Sequence, residues 1–290
     1  MDWIERMNAA MDYVEDNLTE KMDYKKLAQA ACCSEYHFMR MFAFITGIPL
    51  AEYVRRRKLT QAAFALQNSD IKVIDLALSY GYESPEAFAR AFQALHGLSP
   101  SAARKKGAAL KAYPRLAFQL TIKGESEMNY KIIQKPAFTV YGLEGIFDTA
   151  DGSNLADIPK FWMECMENGA SERLLLSAGA PATLNAVCEY RATGGTTFPY
   201  MICCLKTPLS DTAGYTAVDV PAGTWAVFSN DPHSIEETSS AVQALIKRVY
   251  TDWLPTASYE KVDGYEFEMY YSADGGRCYE ETWIRVRPKS

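Results

Sequence analysis

Two arginines, Arg40 and Arg90, occupy the same place in two copies of one pattern. Ser34-x3-Phe38-x-Arg40-x-Phe42-x4-Gly47 recurs fifty residues later as Ser84-x3-Phe88-x-Arg90-x-Phe92-x4-Gly97. A guanidinium is planar, permanently charged and presents a fork of donors, which suits the edge of a guanine, a phosphate, or a neighbouring carboxylate. Further cations cluster at Arg55-Arg56-Arg57-Lys58 and at Arg104-Lys105-Lys106, the local positive charge that phosphate binding requires. Other chemistry is poorly supplied. The seven cysteines include the adjacent pairs Cys32-Cys33 and Cys203-Cys204 and show no CxxC. They have no ligand spacing with His37, His96 or His233, so reduced thiols and no metal are expected. Gly194-Gly195 and Gly275-Gly276 read as turns, because no GxGxxG or Walker pattern surrounds them. No cofactor is expected.

Each copy of the pattern reads as a helix. In the second, Ser84 is placed to cap, Pro85 fits the first turn, and Phe88, Phe92 and Leu95 fall on one face. In the first, Phe38, Met41, Phe42 and Ile45 make the apolar stripe, and Tyr36, Met39, Arg40 and Ala43 point outward. Gly47 and Gly97 end the helices, with Pro49 and Pro100 soon after. A shorter helix precedes each copy: Tyr24 to Cys32 with Asp23 as cap, and Val73 to Tyr80 with Ser69 or Asp70 as cap. Gly81 suits a left-handed turn between steeply crossed helices. Each copy is then the second helix of a helix-turn-helix, the one that enters a major groove. Leu50 to about Asn68 reads as a long helix joining the units, roughly 27 Å at ~1.5 Å per residue. Trp3 to about Leu18 forms an opening helix, and Ser99 to Lys106 a last short one.

At 290 residues the chain is long enough for two domains. Its net charge of −6 argues against nucleic acid until the chain is divided. Residues 1–106 carry 14 Lys+Arg against 13 Asp+Glu, and the remainder 16 against 23. The acidic excess lies in the second part, and DNA affinity must rest on local clusters such as Arg55 and Lys58. The longest apolar runs fall short of the ~18–20 residues of a membrane span, and no signal peptide is evident. A cytoplasmic protein without a membrane partner is expected.

Residues 3 to about 106 resemble the DNA-binding domain of the AraC/XylS family of bacterial transcription regulators. The resemblance rests on Ile74-Asp75-Leu76-Ala77-Leu78-Ser79-Tyr80-Gly81-Tyr82-Glu83-Ser84-Pro85-Glu86-Ala87-Phe88-Ala89-Arg90-Ala91-Phe92, continuing into Gly97-Leu98-Ser99-Pro100. It implies base-reading positions at Tyr36, Met39 and Arg40 in the first unit and at Glu86, Ala87 and Arg90 in the second. Glu86 and Ala89 are poor donors and Pro85 offers none, so Arg90 is expected to contact phosphate or brace its helix. Arg40 is the first choice for direct readout. Double-stranded DNA and RNA polymerase are the macromolecular partners so implied.

Beyond residue 106 the texture changes. Gly107 to Pro114 reads as linker, and Leu116 to Lys123 alternates like a strand. Further strands are expected at Tyr130 to Gly145 (interrupted at Pro136), Arg173 to Ser177, Leu184 to Arg191 and Tyr200 to Lys206. Tyr215 to Val220, Gly223 to Ser229, Tyr265 to Ser272 and Glu280 to Arg287 complete them, with helices at Leu155 to Asn168 and Ile235 to Trp253. The succession strand, helix, strand, strand appears twice, which suggests two similar halves in an α+β domain with a central cleft. The expected organisation is therefore multidomain: an all-α tandem helix-turn-helix domain at 1–106, a linker and leading strand at 107–127, and an α+β domain at 128–290.

That second domain resembles the GyrI-like effector-binding family. The residues carrying the likeness are Val220-Pro221-Ala222-Gly223-Thr224-Trp225-Ala226-Val227-Phe228, Trp253-Leu254-Pro255, Phe267-Glu268-Met269-Tyr270 and Glu281-Thr282-Trp283-Ile284-Arg285-Val286. It implies a small-molecule effector, lipophilic and cationic, held by an acid at Glu268 inside aromatic walls. A buried carboxylate is costly unless a cation compensates it, and aromatic faces add cation–π attraction. Candidate walls are Tyr141, Phe147, Trp162, Tyr200, Trp225, Tyr270 and Trp283. Strand alternation puts Tyr270 on the side of Glu268 and turns Phe267 and Tyr271 away; Glu266 reads as a surface acid. The expectation is a ligand-responsive transcription factor rather than an enzyme. The alternative is hydrolysis of strained small molecules, with Glu268 as general base and Tyr270 as its acid partner.

Overall fold

The computed structural model describes residues 3–105, 107–119 and 127–289. They form two compact units. One comprises residues 1–35 and 48–120, the other residues 36–47 and 121–290.

The first unit is helical. Helix α1 (Trp3–Asp16) buries Met7, Ala10, Met11 and Val14, one face at helical spacing. Helix α2 (Tyr24–Ala30) is capped by the Asp23 carboxylate, which accepts from the amides of Lys25 and Lys26. Helix α4 (Leu50–Asn68) has the expected bounds. Helices α5 (Val73–Ser79) and α6 (Pro85–His96) close on α4 around Leu59, Ala62, Leu66, Leu76, Ala77, Phe88 and Phe92, all buried. Ser84 caps α6 by accepting from Ala87 N, and Gly97 ends it at φ 82°. Helix α7 is short, Pro100–Ala103.

Within this unit the turns after α2 and α5 are alike. Tyr82 N donates to Ala77 O, and Cys33 N to Ala28 O, each at 3.0 Å. The left-handed position is Gly81 in one (φ 77°) and Cys32 in the other (φ 56°). A side chain there is strained, whereas glycine is not.

Two expectations are corrected. The residue capping α5 is Lys72, in extended backbone with no side-chain bond. Ser69 is engaged elsewhere, its hydroxyl donating back to Ala65 O at 2.7 Å. Residues 116–119 are irregular rather than strand, while 120–123 lie outside the described residues. Asn8 clamps this segment in place of a sheet neighbour, accepting from Phe118 N at 2.8 Å and donating to Phe118 O at 2.9 Å.

The second unit is built on one eight-stranded antiparallel sheet. Its strands are β1 (Asn129–Lys135), β2 (Phe138–Asp148), β3 (Asn185–Cys188), β4 (Thr197–Leu205), β5 (Thr216–Val220), β6 (Gly223–Ser229), β7 (Tyr259–Ala273) and β8 (Arg277–Pro288). The order across the sheet is β1-β6-β8-β7-β3-β4-β2-β5. Pairing β6 with β2, β8 with β4, β7 with β3 and β1 with β5 makes the two halves equivalent. Each half follows the expected strand, helix, strand, strand succession, and the halves meet where β7 pairs with β3.

Helices α8 (Asn154–Glu167) and α9 (Ala170–Ser177) follow β2, and α10 (Thr238–Arg248) follows β6. Where a strand was expected at Arg173 to Ser177, there is helix α9. Ala170, Leu174 and Ala178 recur every four residues and all join the core, whereas Leu176 is left exposed. The expected helix Ile235 to Trp253 is α10, preceded by a 3-10 turn and followed by a π-type turn at Val249–Trp253.

Helix α3 (Glu35–Thr46), the helix of the first repeat, belongs from Tyr36 onward to this second unit. Every residue from Tyr36 to Ala43 is buried. The expected outward face is therefore not outward: Tyr36 is 8% exposed, Met39 1%, Arg40 5% and Ala43 4%.

Candidate effector pocket

Register decides which side chains share a face. Glu268 is paired across from Ala186 on one side and Thr282 on the other, and Phe267 from Val187 and Trp283. Glu266, Glu268 and Tyr270 therefore share the face that carries Tyr200 and Cys188, while Phe267, Trp225 and Trp283 pack together on the opposite face. Alternation at Tyr270 and Phe267 is as expected. Trp225 and Trp283 do not line the cleft: even-to-odd register puts them behind the sheet.

On the Glu268 face a cavity of about 630 Å³ opens between α8, α10 and the sheet, the size of a small organic ligand. Trp162, Tyr200, Glu268 and Tyr270 line it together with Arg40 and Phe44 of α3. Tyr141 and Phe147 belong to the core beneath. Phe147 packs edge-on to Tyr200 with centroids 5.9 Å apart, and the Tyr141 hydroxyl meets Ser177 at 3.1 Å. Ile158, Met163 and Val242 are among its apolar walls, and Asn154, Thr238, Ser239 and Gln243 also line it.

Glu268 is held by a short relay. Trp162 Nε1 donates to the Tyr200 hydroxyl at 2.9 Å, and Tyr200 donates to Glu268 Oε2 at 2.8 Å. Tyr270 donates to the same oxygen at 3.0 Å. The other oxygen, Oε1, faces the Arg40 guanidinium at 3.8 Å. Burial holds this carboxyl above the ordinary carboxylate range, although Arg40 and the two hydroxyls work against the shift.

Arg40 sits in a buried cluster of charges. It pairs with Glu266 at close range and with Glu189 Oε1 at 3.4 Å, and lies over the rings of Phe44 and Phe198 at 5.4 and 5.8 Å. Lys261 Nζ reaches Glu189 at 3.1 Å and Glu266 at 3.3 Å. The Tyr250 hydroxyl donates to Glu266, and His37 Nδ1 lies 3.1 Å from Glu189. For both Glu189 and Glu266, burial pushes the carboxyl upward, but the cations beside it, Lys261 foremost, outweigh burial and hold it below the ordinary range. Glu266 is thus not the surface acid expected; it is 3% exposed.

Acids outnumber the Arg and Lys cations here. Glu189, Glu266 and Glu268 face Arg40 and Lys261, one cation short. Glu268, whose one ion pair among the described residues is with Arg40 at 3.8 Å, is the carboxylate left over.

A second acid reaches the same cavity. Glu280 is fully buried; its Oε2 accepts from Asn230 at 2.6 Å and meets His233 Nε2 at 2.8 Å. His233, Cys278 and Glu280, like His37, Glu189 and Glu266, have ligand-type atoms within 4.8 Å of one another. Hydrogen bonds account for the first group, since His233 Nδ1 is also engaged at 2.8 Å by Ser234 O. In the second, Arg40 and Lys261 already occupy the carboxylates. None of Arg40, Phe44, Glu189, Glu280 or Lys261 had been expected at an effector site.

The remaining expected DNA-contacting residues lie in the first unit. Glu86 and Arg90 are exposed on α6 and Ala87 is half-buried. Arg55 is exposed but pairs with Glu52 at 2.8 Å. Lys58 donates to Tyr80 O at 3.2 Å. Arg57 is buried against Glu15 at 2.7 Å, a structural pair.

Residues 128–287 match the family described as the GyrI-like small molecule binding domain, and residues 27–106 a helix-turn-helix domain. The chain is 42% identical over 89 residues to the HTH-type transcriptional activator AarP of Providencia stuartii, covering 31% of this chain and 66% of AarP. It is 33% identical over 94 residues to the multiple antibiotic resistance protein MarA of Escherichia coli, covering 32% of this chain and 74% of MarA. Among solved structures, SAV2435 bound to tetraphenylphosphonium aligns at a TM-score of 0.44 and 19% identity, over 55% of this chain and 94% of that one. With more than half of its length in the first of these matches, the chain belongs to the GyrI-like small molecule binding family and joins that domain to an AraC-type helix-turn-helix DNA-binding domain.

Proposed function

We propose that this protein is a transcription regulator whose DNA binding responds to a lipophilic cation held at Glu268. The observation that carries the ligand chemistry is the surplus carboxylate, fixed by two tyrosine hydroxyls on the wall of an aromatic and aliphatic cavity of about 630 Å³. A cation there neutralises a charge that burial disfavours, and the tyrosine and tryptophan rings supply faces to it. Most of the lining area is apolar, so selection rests chiefly on charge and apolar area. DNA is read by Tyr36, Met39 and Arg40 of α3 and approached by Glu86, Ala87 and Arg90 of α6, with Arg55 and Lys58 adding positive charge. RNA polymerase is the partner on the DNA, as the activator name of AarP suggests. The names of these relatives also favour binding over hydrolysis.

The test is a titration of the full chain with tetraphenylphosphonium and with an uncharged compound of the same shape, repeated on Glu268→Gln. One unit charge about 5 Å from the carboxylate is worth about 3 kcal/mol at an effective dielectric of ~20. The variant should therefore bind the cation about a hundredfold more weakly and the neutral compound about as well as before. Equal losses for both would show that the pocket does not recognise charge.

A further inference from the structure

We propose that Arg40 is the built-in cation of this pocket, and that a cationic ligand takes its place at Glu268 and so frees α3 to meet DNA. The proposal rests on the reading of Glu268 as the ligand's anchor and adds the regulation of that site.

Three observations carry it. First, ligand and Arg40 address the same atom. Glu268 Oε2 is taken by both tyrosine hydroxyls, so Oε1 is the oxygen open to a cation, and Arg40 faces Oε1 at 3.8 Å. A cation seated on Oε1 would stand beside the guanidinium, and like charges so close repel. Arg40 also forms part of the cavity wall together with Phe44, one turn further along α3. Ligand and helix therefore compete for space as well as charge.

Second, the cluster is arranged so that Arg40 can leave. Glu189 and Glu266 keep Lys261 at 3.1 and 3.3 Å when the guanidinium withdraws, and Glu266 also keeps the Tyr250 hydroxyl. Only Glu268 would be left without a cation, and the ligand supplies one. The exchange leaves the number of cations facing these carboxylates unchanged, with Lys261 against Glu189 and Glu266 and the ligand against Glu268, although His37 of α3 is also withdrawn from Glu189.

Third, what the pocket holds is the face with which α3 would read bases. Tyr36 stacks on Phe198 with centroids 6.0 Å apart, and the Thr149 hydroxyl lies 3.5 Å from the Met39 sulfur. These contacts and DNA are mutually exclusive uses of Tyr36, Met39 and Arg40. A ligand that unseats Arg40 shifts the balance toward the DNA-competent form, and by linkage DNA must raise the ligand's affinity by the same factor.

Hydrogen exchange of the full-length wild-type chain tests this directly. Amides of residues 36–47 should exchange about tenfold faster when tetraphenylphosphonium saturates the protein. Arg40→Met, which removes the competitor, should bind the same probe about tenfold more tightly. If the probe binds wild type, loses affinity in Glu268→Gln, and yet leaves exchange in 36–47 unchanged or slower, the effector site stands and the displacement of α3 is overturned. If Glu268→Gln binds the probe as tightly as wild type, the anchor itself is wrong, and this proposal falls with it.

Discussion

Removing the Arg40 charge is the sharpest test of how α3 is held. Arg40→Met keeps most of the side-chain volume and deletes the guanidinium. In the native cluster that group stands 3.4 Å from Glu189, 3.8 Å from Glu268 and closer still to Glu266. At an effective dielectric of ~20, each of the two longer contacts is an attraction of about 4–5 kcal/mol, offset by repulsion from Lys261 and by several kcal/mol of desolvation. Breaking a buried pair by removing one partner typically costs about 3–5 kcal/mol. The lower end applies here, about 3 kcal/mol, because Lys261 remains against Glu189 and Glu266. Urea unfolding of wild type, Arg40→Met, Glu266→Gln and the double variant at neutral pH measures both the cost and the coupling. In the Glu266→Gln background Arg40→Met should cost at least about 1 kcal/mol less, since its closest partner has lost its charge. A loss below about 1 kcal/mol in the single variant, or strict additivity in the double one, would show that Arg40 does not reside among these carboxylates.

Two further outcomes follow from burial and backbone geometry. Replacing Cys32 by glycine should stabilise the first unit by about 1 kcal/mol, because the left-handed position at φ 56° then carries no side chain; an unchanged denaturation midpoint would contradict this. Glu268→Gln should raise the thermal midpoint of the ligand-free protein at pH 7–8 by about 2–6 °C, if relieving the buried charge contributes about 1–2 kcal/mol. The sign follows from linkage. A carboxyl whose folded pKa is raised contributes stability below its unfolded pKa and loses it as pH rises through the folded value. The advantage of the variant should therefore vanish near pH 4, and an advantage independent of pH would point to packing instead of charge.

What was legible in the sequence was local. The caps at Asp23 and Ser84, the bounds of α4 and the left-handed Gly81 follow from side chains acting on the backbone a few residues away. Alternation along β7 likewise placed Tyr270 beside Glu268, and the same parity was available for Glu266. Glu266 is nevertheless no surface acid, because β7 runs between β3 and β8 and both its faces there are covered. Trp225 and Trp283 depended on register between strands, which no single strand discloses. Arg173 to Ser177 misled because a run of three leucines satisfies a buried strand as well as a helix, and only Ala170 and Ala178 outside the run settle the period.

Arg40 marks the deeper limit. Nothing near it in sequence supplies an acid at bonding distance: Glu189, Glu266 and Glu268 lie 149 to 228 positions away. The chemistry that made Arg40 the first choice for a guanine edge, a rigid charged fork, is the same chemistry that satisfies three buried carboxylates. Residue type therefore restricts what the side chain can bind and leaves the occupant open. A base-reading arginine and a pocket-filling arginine need the same side chain, so the residue type alone does not separate the two uses.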